Sequence, residues 1–225
     1  GYEPCTIAQI RAYKPQSSSL GCGQVLHCPY TADKARIVVQ EMIDGISLEL
    51  VEKRLVTDQL VLTVGYDIEN LTRPEIRKVY KGPVTTDRYG RRVPKHAHGT
   101  WNLPRATSSS SELLEAMAAL YDKIVNPALL IRRMSLSACH VVNEKMAKER
   151  EQKETFEQLD LFTDYAKKEA KEKEEQKKRE RERRMQEALL TIKKKYGKNA
   201  VLRGMNFEEG ATAKERNGQI GGHQA

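Results

Sequence analysis

Two helical stripes set among strand-like runs constrain this chain more than any other feature. From Thr31 to Arg54, Ala35, Val38, Met42, Ile46 and Leu50 recur at three- and four-residue intervals, which puts them on one face of a helix. The spacing returns in "SSSSELLEAMAALYDKIV". There Leu113, Met117, Leu120 and Ile124 form the stripe, and Ser109 with Glu112 predicts a capping box. Period-two segments surround both helices. "VTDQLVLTVGYDI" places Val56, Leu60, Leu62, Val64 and Tyr66 on one side of a strand, with Asp58 breaking the row. Thr57, Gln59 and Thr63 fall on the other side. "SLGCGQVLHC" reads as a strand stopped by Pro29. "KHAHGTWNL" reads as another, and "ALLIRRMSLSACHVV" as a long one with Met134, Leu136 and Ala138 on one face.

The order strand, helix, strand, strand, helix, strand is the split βαβ pattern of an α+β, ferredoxin-like βαββαβ sandwich. Two amphipathic helices need one face of a sheet to cover, which predicts that the other face is open to a ligand. Between Asn70 and Lys95 there is little periodicity, and "RYGRR" looks like a turn. Ahead of the first strand, Ile7 and Ile10 sit at helical spacing and "QSSS" has a linker composition. The chain begins at Gly1 in mid-pattern, and the expectation is that an N-terminal portion precedes it.

Beyond Val142 the composition changes. "NEKMAKEREQKE" and "YAKKEAKEKEEQKKRERERR" carry no apolar stripe and read as solvated helix or disordered linker. Met185, Leu189, Ile192 and Tyr196 then resume helical spacing, with Gly197 as a C-terminal stop. The closing "NFEEGATAKERNGQIGGHQA" shows no pattern.

A net charge of +8 and a pI near 9.2 favour a polyanionic partner, nucleic acid before membrane. The four cysteines match no common zinc spacing. They read as small buried hydrophobes in a reducing, cytoplasmic and nucleoid-associated setting. With no signal peptide and no long apolar run, no membrane partner is expected. Walker A, GxSxG and HExxH patterns are absent from the sequence. Asp67 and Glu69 could share a side and hold a metal, but isolated surface carboxylates are usually solvated, so no metal site is expected. His96 and His98 share a strand face, as exposed polar groups or as phosphate ligands.

The basic residues are more informative, because each Lys or Arg near a phosphate adds affinity without reading sequence. Arg73, Arg77, Lys78, Arg88, Arg91, Arg92 and Lys95 gather beside a strand, and Arg105 follows it. His98, Thr100 and Asn102 add groups that bond phosphate oxygens. Aromatic rings are scarce there. Trp101 is alone and, by alternation, points toward the core. This favours backbone tracking over base reading and disfavours an RNA-recognition module.

The runs "SLGCGQVLHCPY", "VTDQLVLTVGYDI" and "KHAHGTWNLPRATSSSSELL" resemble the C-terminal half of a bacterial Y-family, UmuC-like translesion DNA polymerase. The opening "GYEPCTIAQIRAYKP" is similar to the end of that family's thumb and its tether. The resemblance implies a thumb end and linker over 1–18, a little-finger DNA-binding domain over 19–142 and a charged tail over 143–225. It implies a parent DNA-directed DNA polymerase active in DNA repair, damage bypass and the SOS response, with damaged or primer-template DNA as partner. The family's palm and fingers precede the matched part. No catalytic residue is therefore carried onto any position here, and the implied Mg²⁺ belongs to the parent, not to this chain. A recombinase filament is a further partner that the resemblance raises.

Gln158-Leu159-Asp160-Leu161-Phe162 matches the QLxLF pattern by which bacterial polymerases dock on the sliding clamp. The resemblance implies a polar pocket for Gln158 and an apolar one for Leu161 and Phe162. Three apolar side chains at about 1.5–3 kcal/mol each, less several kcal/mol for immobilisation, give about micromolar binding at best. The competing readings are a non-catalytic DNA- and clamp-binding regulatory module and an independent RNA-binding module.

Overall fold

The computed structural model describes residues 4–13, 18–87, 89–154, 165–220 and 223–224, and the side chains of 151–172 and 220–225 lie outside that description. In chain order the elements are α1 (Ile7–Ala12), β1 (Leu20–Tyr30), α2 (Ala32–Lys53), β2 (Leu55–Tyr66), α3 (Glu69–Thr72) and α4 (Pro74–Val79). They continue with β3 (Val84–Thr86), β4 (Arg92–Pro94), β5 (Ala97–Thr107), α5 (Ser110–Ile124), β6 (Ile131–Cys139) and β7 (Val142–Asn143). The last are α6 (Glu144–Glu154), α7 (Tyr165–Tyr196), a 3-10 turn at Gly204–Phe207, α8 (Ala213–Arg216) and the paired short strands β8 (Gln219–Ile220) and β9 (His223–Gln224).

The fold is α+β, with the βαββαβ core expected from the sequence. The main sheet is antiparallel in the order β1-β6-β2-β5, and the short β7 pairs with the start of β2. Helix α2 therefore joins β1 to β2 with β6 between them, and α5 joins β5 to β6 with β2 between them. Both helices cover the same face. Ala35, Val38, Met42, Ile46 and Leu50 of α2 share one buried cluster with Leu113, Met117 and Leu120 of α5. Leu60, Leu62, Val64, Met134, Leu136 and Ala138 of the sheet complete it. Each such side chain contributes about 1.5–3 kcal/mol by leaving water. Close approach of α5 requires Gly99 on β5, where an added Cβ would lie 2.8 Å from Ile124 Cγ2 and 2.9 Å from Leu120 Cδ1.

Local details depart from the expectations for physical reasons. Strand β1 continues past Pro29 to Tyr30, because the ladder to β6 lapses between Val25 and Tyr30 and nothing there needs the missing N–H. Asp58 breaks the alternation of β2 at a register shift between Thr57 and Gln59. Thr57 is buried and its hydroxyl donates 2.5 Å to Cys139 O, while Asp58 pairs with His140 Nδ1 at 2.9 Å. Arg54 takes a left-handed conformation (φ 54°) that ends α2 and leads directly into β2. Half of the expected capping box forms. Ser109 Oγ accepts from Glu112 N at 3.2 Å, but the Glu112 carboxylate pairs with Arg105 instead of reaching back. The aperiodic 70–95 region holds α3, α4 and a β3–β4 hairpin, with Gly90 (φ 76°) in its turn.

The largest departure is the region after residue 142. Helix α7 ends at Gly197 (φ 95°), as expected, but of the expected stripe Met185, Ile192 and Tyr196 point outward and only Leu189 is half-buried. Gln186, 2% exposed, is the buried one among the described side chains of α7. Its Nε2 donates to Ser108 O (3.0 Å) and Ser110 Oγ (2.8 Å). Ser110 and Ser47 hydroxyls lie 2.7 Å apart, and Ser47 donates to Asp44 O at 2.7 Å, so one polar chain links α7, α5 and α2. Glu182 caps the start of α5 by accepting from Ser111 N at 2.8 Å and Ser109 Oγ at 2.7 Å.

The final segment is a strap across α2 and β1. Glu41, in the apolar face of α2 and 3% exposed, accepts from Thr212 N (2.8 Å), Ala213 N (3.0 Å), Thr212 Oγ1 (3.1 Å) and Asn206 Nδ2 (2.8 Å). Gln24 of β1 donates to Thr212 Oγ1 at 2.9 Å and accepts from Arg216 Nη1 at 2.5 Å. Arg203 Nη2 stands 2.7 Å from Asp44 Oδ1, close enough for an ion pair but misaligned for a hydrogen bond.

Candidate nucleic-acid interface

With both helices on one side, the residues of opposite parity form the other face of the sheet. Register fixes its rows. Gly21, Ser137, Val61 and Thr100 lie side by side across β1, β6, β2 and β5, as do Gly23, Ser135, Thr63 and His98. A third row carries Val25, Arg133 and Gly65. Gly21, Gly23, Val25, Arg133, Ser135, His98, Thr100 and Asn102 are exposed.

The face is low in relief and rich in hydroxyl and amide groups, which suits close approach by a sugar-phosphate backbone. His98 Nδ1 lies 2.9 Å from Thr63 Oγ1, and Gln59 Nε2 donates to Asn102 Oδ1 at 2.9 Å, so both β5 side chains are held by neighbours on β2. Arg133 crosses Gly65, where an added Cβ would lie 2.6 Å from its Cγ and Nε. The absence of a side chain at Gly65 is what lets this guanidinium lie along the sheet.

The residues expected to meet phosphate fall into three places. His98, Thr100 and Asn102 are on the open face. Arg73, Arg77, Lys78, Arg91, Arg92 and Lys95 are in the insertion of α3, α4 and the hairpin, at the end of the sheet where β2 finishes and β5 begins. Arg73 Nη2 pairs with Glu69 Oε2 at 2.5 Å and Arg91 Nη2 with Asp87 Oδ2 at 2.8 Å. Hydrogen bonds from Arg91, its backbone amide foremost, hold the Asp87 carboxyl below its ordinary range. Arg77, Lys78, Arg92 and Lys95 have no ion-pair partner among the described residues. Arg105 is apart from both groups. It shares the helix-facing parity of Trp101 and Leu103, pairs with Glu112 of α5, and lines a cleft with Glu175 and Arg179 of α7. Arg88 lies outside the described residues.

Of the other marked residues, Asp67 and Glu69 have structural partners, and none of the four cysteines is buried as expected: Cys5 and Cys28 are exposed and Cys22 and Cys139 half-buried. Asp67 is buried, accepts from Glu69 N at 2.8 Å and lies 3.7 Å from Arg132; Glu69 is occupied by Arg73. His96 is exposed just before β5. Gln158, Leu159, Asp160, Leu161 and Phe162 lie outside the described residues, between the end of α6 and the start of α7. Arg133, Ser135 and Ser137 were missed as site residues. The signal was present, because burying Met134, Leu136 and Ala138 forces those three onto the opposite face.

Among the described residues, no helix is long and apolar enough to cross a membrane. No protein family and no curated protein matches the sequence. A solved structure described as "Complex of beta-clamp processivity factor and little finger domain of PolIV" is similar at a TM-score of 0.36 and 9% identity, over 65% of this chain and 100% of the other.

Proposed function

We propose that the chain is the C-terminal part of a bacterial Y-family, UmuC-like translesion DNA polymerase. In this reading residues 1–18 are the thumb end and linker, 19–142 the little finger that holds primer-template DNA by its backbone, and 143–225 the tail. The tail docks on the sliding clamp through Gln158–Phe162. The observation that carries the reading is the open sheet face, opposite the one that α2 and α5 cover and lined by Ser135, Ser137, Thr63, Thr100, His98 and Arg133. Its hydroxyls and one guanidinium suit phosphate oxygens, and with His98 as the one ring among these lining residues it suits a duplex better than splayed bases.

The test is duplex binding by the full chain as a function of salt. Ser135→Glu, an anion at the centre of the face, weakens binding about tenfold or more, and log affinity falls linearly with log salt in the unmodified chain. Wild-type affinity in that variant, or salt-independent binding, refutes the sheet-face reading. For the clamp, replacing Leu161 and Phe162 by Ala removes association with purified clamp and leaves duplex affinity unchanged. Clamp association that survives the double substitution eliminates the docking motif.

A further inference from the structure

Helix α7 has two sides of opposite electrostatic character. On the docked side three described cations are paired with carboxylates, and the half-buried Lys193 donates to Lys198 O at 2.9 Å. Arg179 pairs with Glu175 at 3.2 Å, Arg183 with Glu187 at 3.1 Å and Glu144 at 3.3 Å, and Lys194 with Glu52 at 2.7 Å. At about 100° per residue, the positions from 177 onward that lie within about 40° of the direction opposite Gln186 are 177, 181, 184, 188, 191 and 195. They read Lys177, Arg181, Arg184, Ala188, Thr191 and Lys195, and all are exposed. None of these four cations has an ion-pair partner among the described residues. Lys195 instead lies over the Tyr196 ring, 5.0 Å from its centroid.

We infer that this outward seam of α7 is a second phosphate-tracking surface, for the backbone of duplex nucleic acid. From Lys177 to Lys195 the helix rises about 27 Å at 1.5 Å per residue. A duplex presents a phosphate charge about every 1.7 Å along its axis, so the whole seam can lie beside one. A helix held along its opposite side by Gln186 and Glu182 keeps the seam straight. A second copy of the chain is a poor occupant, because like-charged seams repel. The seam belongs to a helix seated on α2 and the start of α5, not on the open sheet face, so the inference stands independently of the sheet-face reading.

The experiment compares the full chain with two variants that each remove four positive charges. The seam variant is Lys177→Gln, Arg181→Gln, Arg184→Gln and Lys195→Gln. The control is Lys123→Gln, Lys145→Gln, Lys198→Gln and Lys214→Gln, all exposed and outside both surfaces. Binding to a labelled duplex is measured over a salt series, with helix content checked by circular dichroism. The seam variant binds about tenfold more weakly than the control at low salt. Its salt slope is shallower by about 0.9 for each phosphate that it no longer neutralises. A charge-retaining variant, Lys177→Arg, Arg181→Lys, Arg184→Lys and Lys195→Arg, binds as the unmodified chain does.

Equal affinity in the seam and control variants overturns the inference. So does a seam defect confined to sedimentation with phosphatidylserine vesicles, which assigns the seam to a lipid surface. Loss of binding in Ser135→Glu with an intact seam variant overturns this inference and leaves the sheet-face reading standing. The converse result supports the seam and sinks the sheet-face reading.

Discussion

Replacing Glu41 by Ala releases the strap and leaves the domain folded. Four donors converge on this carboxylate: two backbone amides, a hydroxyl and a side-chain amide, at 2.8–3.1 Å. Hydrogen bonds to a charged group contribute about 1.5–3 kcal/mol each, and a buried amide left without an acceptor costs about 1–3 kcal/mol. Stranding Thr212 N and Ala213 N inside would therefore cost several kcal/mol, but the strap has a cheaper alternative in moving into water. The loss is capped at the docking free energy of the segment and appears as local opening. A fall of about 3 kcal/mol corresponds to a rise of about a hundredfold in amide exchange at Thr212 and Ala213. Core strand amides should change little. Glu41→Gln keeps one acceptor oxygen but turns an NH₂ toward donors, so its effect falls between Ala and wild type. Hydrogen exchange resolved by peptide is the assay. Unchanged protection of 203–217 in Glu41→Ala, or equal loss of protection in β2 and β6, refutes the reasoning.

Three further outcomes follow from the same geometry. Gly99→Val drives methyl groups into Leu120 and Ile124 and lowers stability by about 1–3 kcal/mol; an unchanged urea midpoint contradicts tight β5–α5 packing. Gln186→Ala removes the only described side chain of α7 that is fully buried and costs about 1–3 kcal/mol of helix docking, read as faster proteolysis within 173–196. Burial holds the Asp44 carboxyl above its ordinary value of 3.8 in spite of Arg203, so the folded state holds that proton more tightly than the unfolded chain. Its contribution to stability is full below the unfolded value and is lost as pH rises through the folded one. Asp44→Asn should flatten the part of the stability profile that begins above pH about 4, and parallel profiles for the two proteins would contradict it.

The parts of the fold legible in the sequence are those governed by apolar period. Ala35 through Leu50 and Leu60 through Tyr66 are visible because burial there is burial of hydrocarbon, at 3.6 or 2 residues per repeat. The same rule misleads at α7. Met185, Leu189, Ile192 and Tyr196 form a period, yet only Leu189 of them is half-buried, because the domain offers this helix a serine-rich helix start, which prefers Glu182 and Gln186. A strap with no periodicity is likewise held by acceptors, and Glu41 gives no sign in the sequence that an apolar face contains its binding post. In the candidate site, composition located the cationic insertion, while strand parity would have separated Arg105 from it and added Arg133, Ser135 and Ser137.

The partners Glu41 and Thr212 stand 171 positions apart in the chain. At about 5–20 residues per second of synthesis, roughly ten to thirty-five seconds separate the appearance of the acceptor from that of its donors. Only after β6 ends at Cys139, 73 residues before Thr212, can a nascent molecule with its sheet and two covering helices carry this anion without its lid. Glu41 can therefore be covered only once the domain it sits on has been translated.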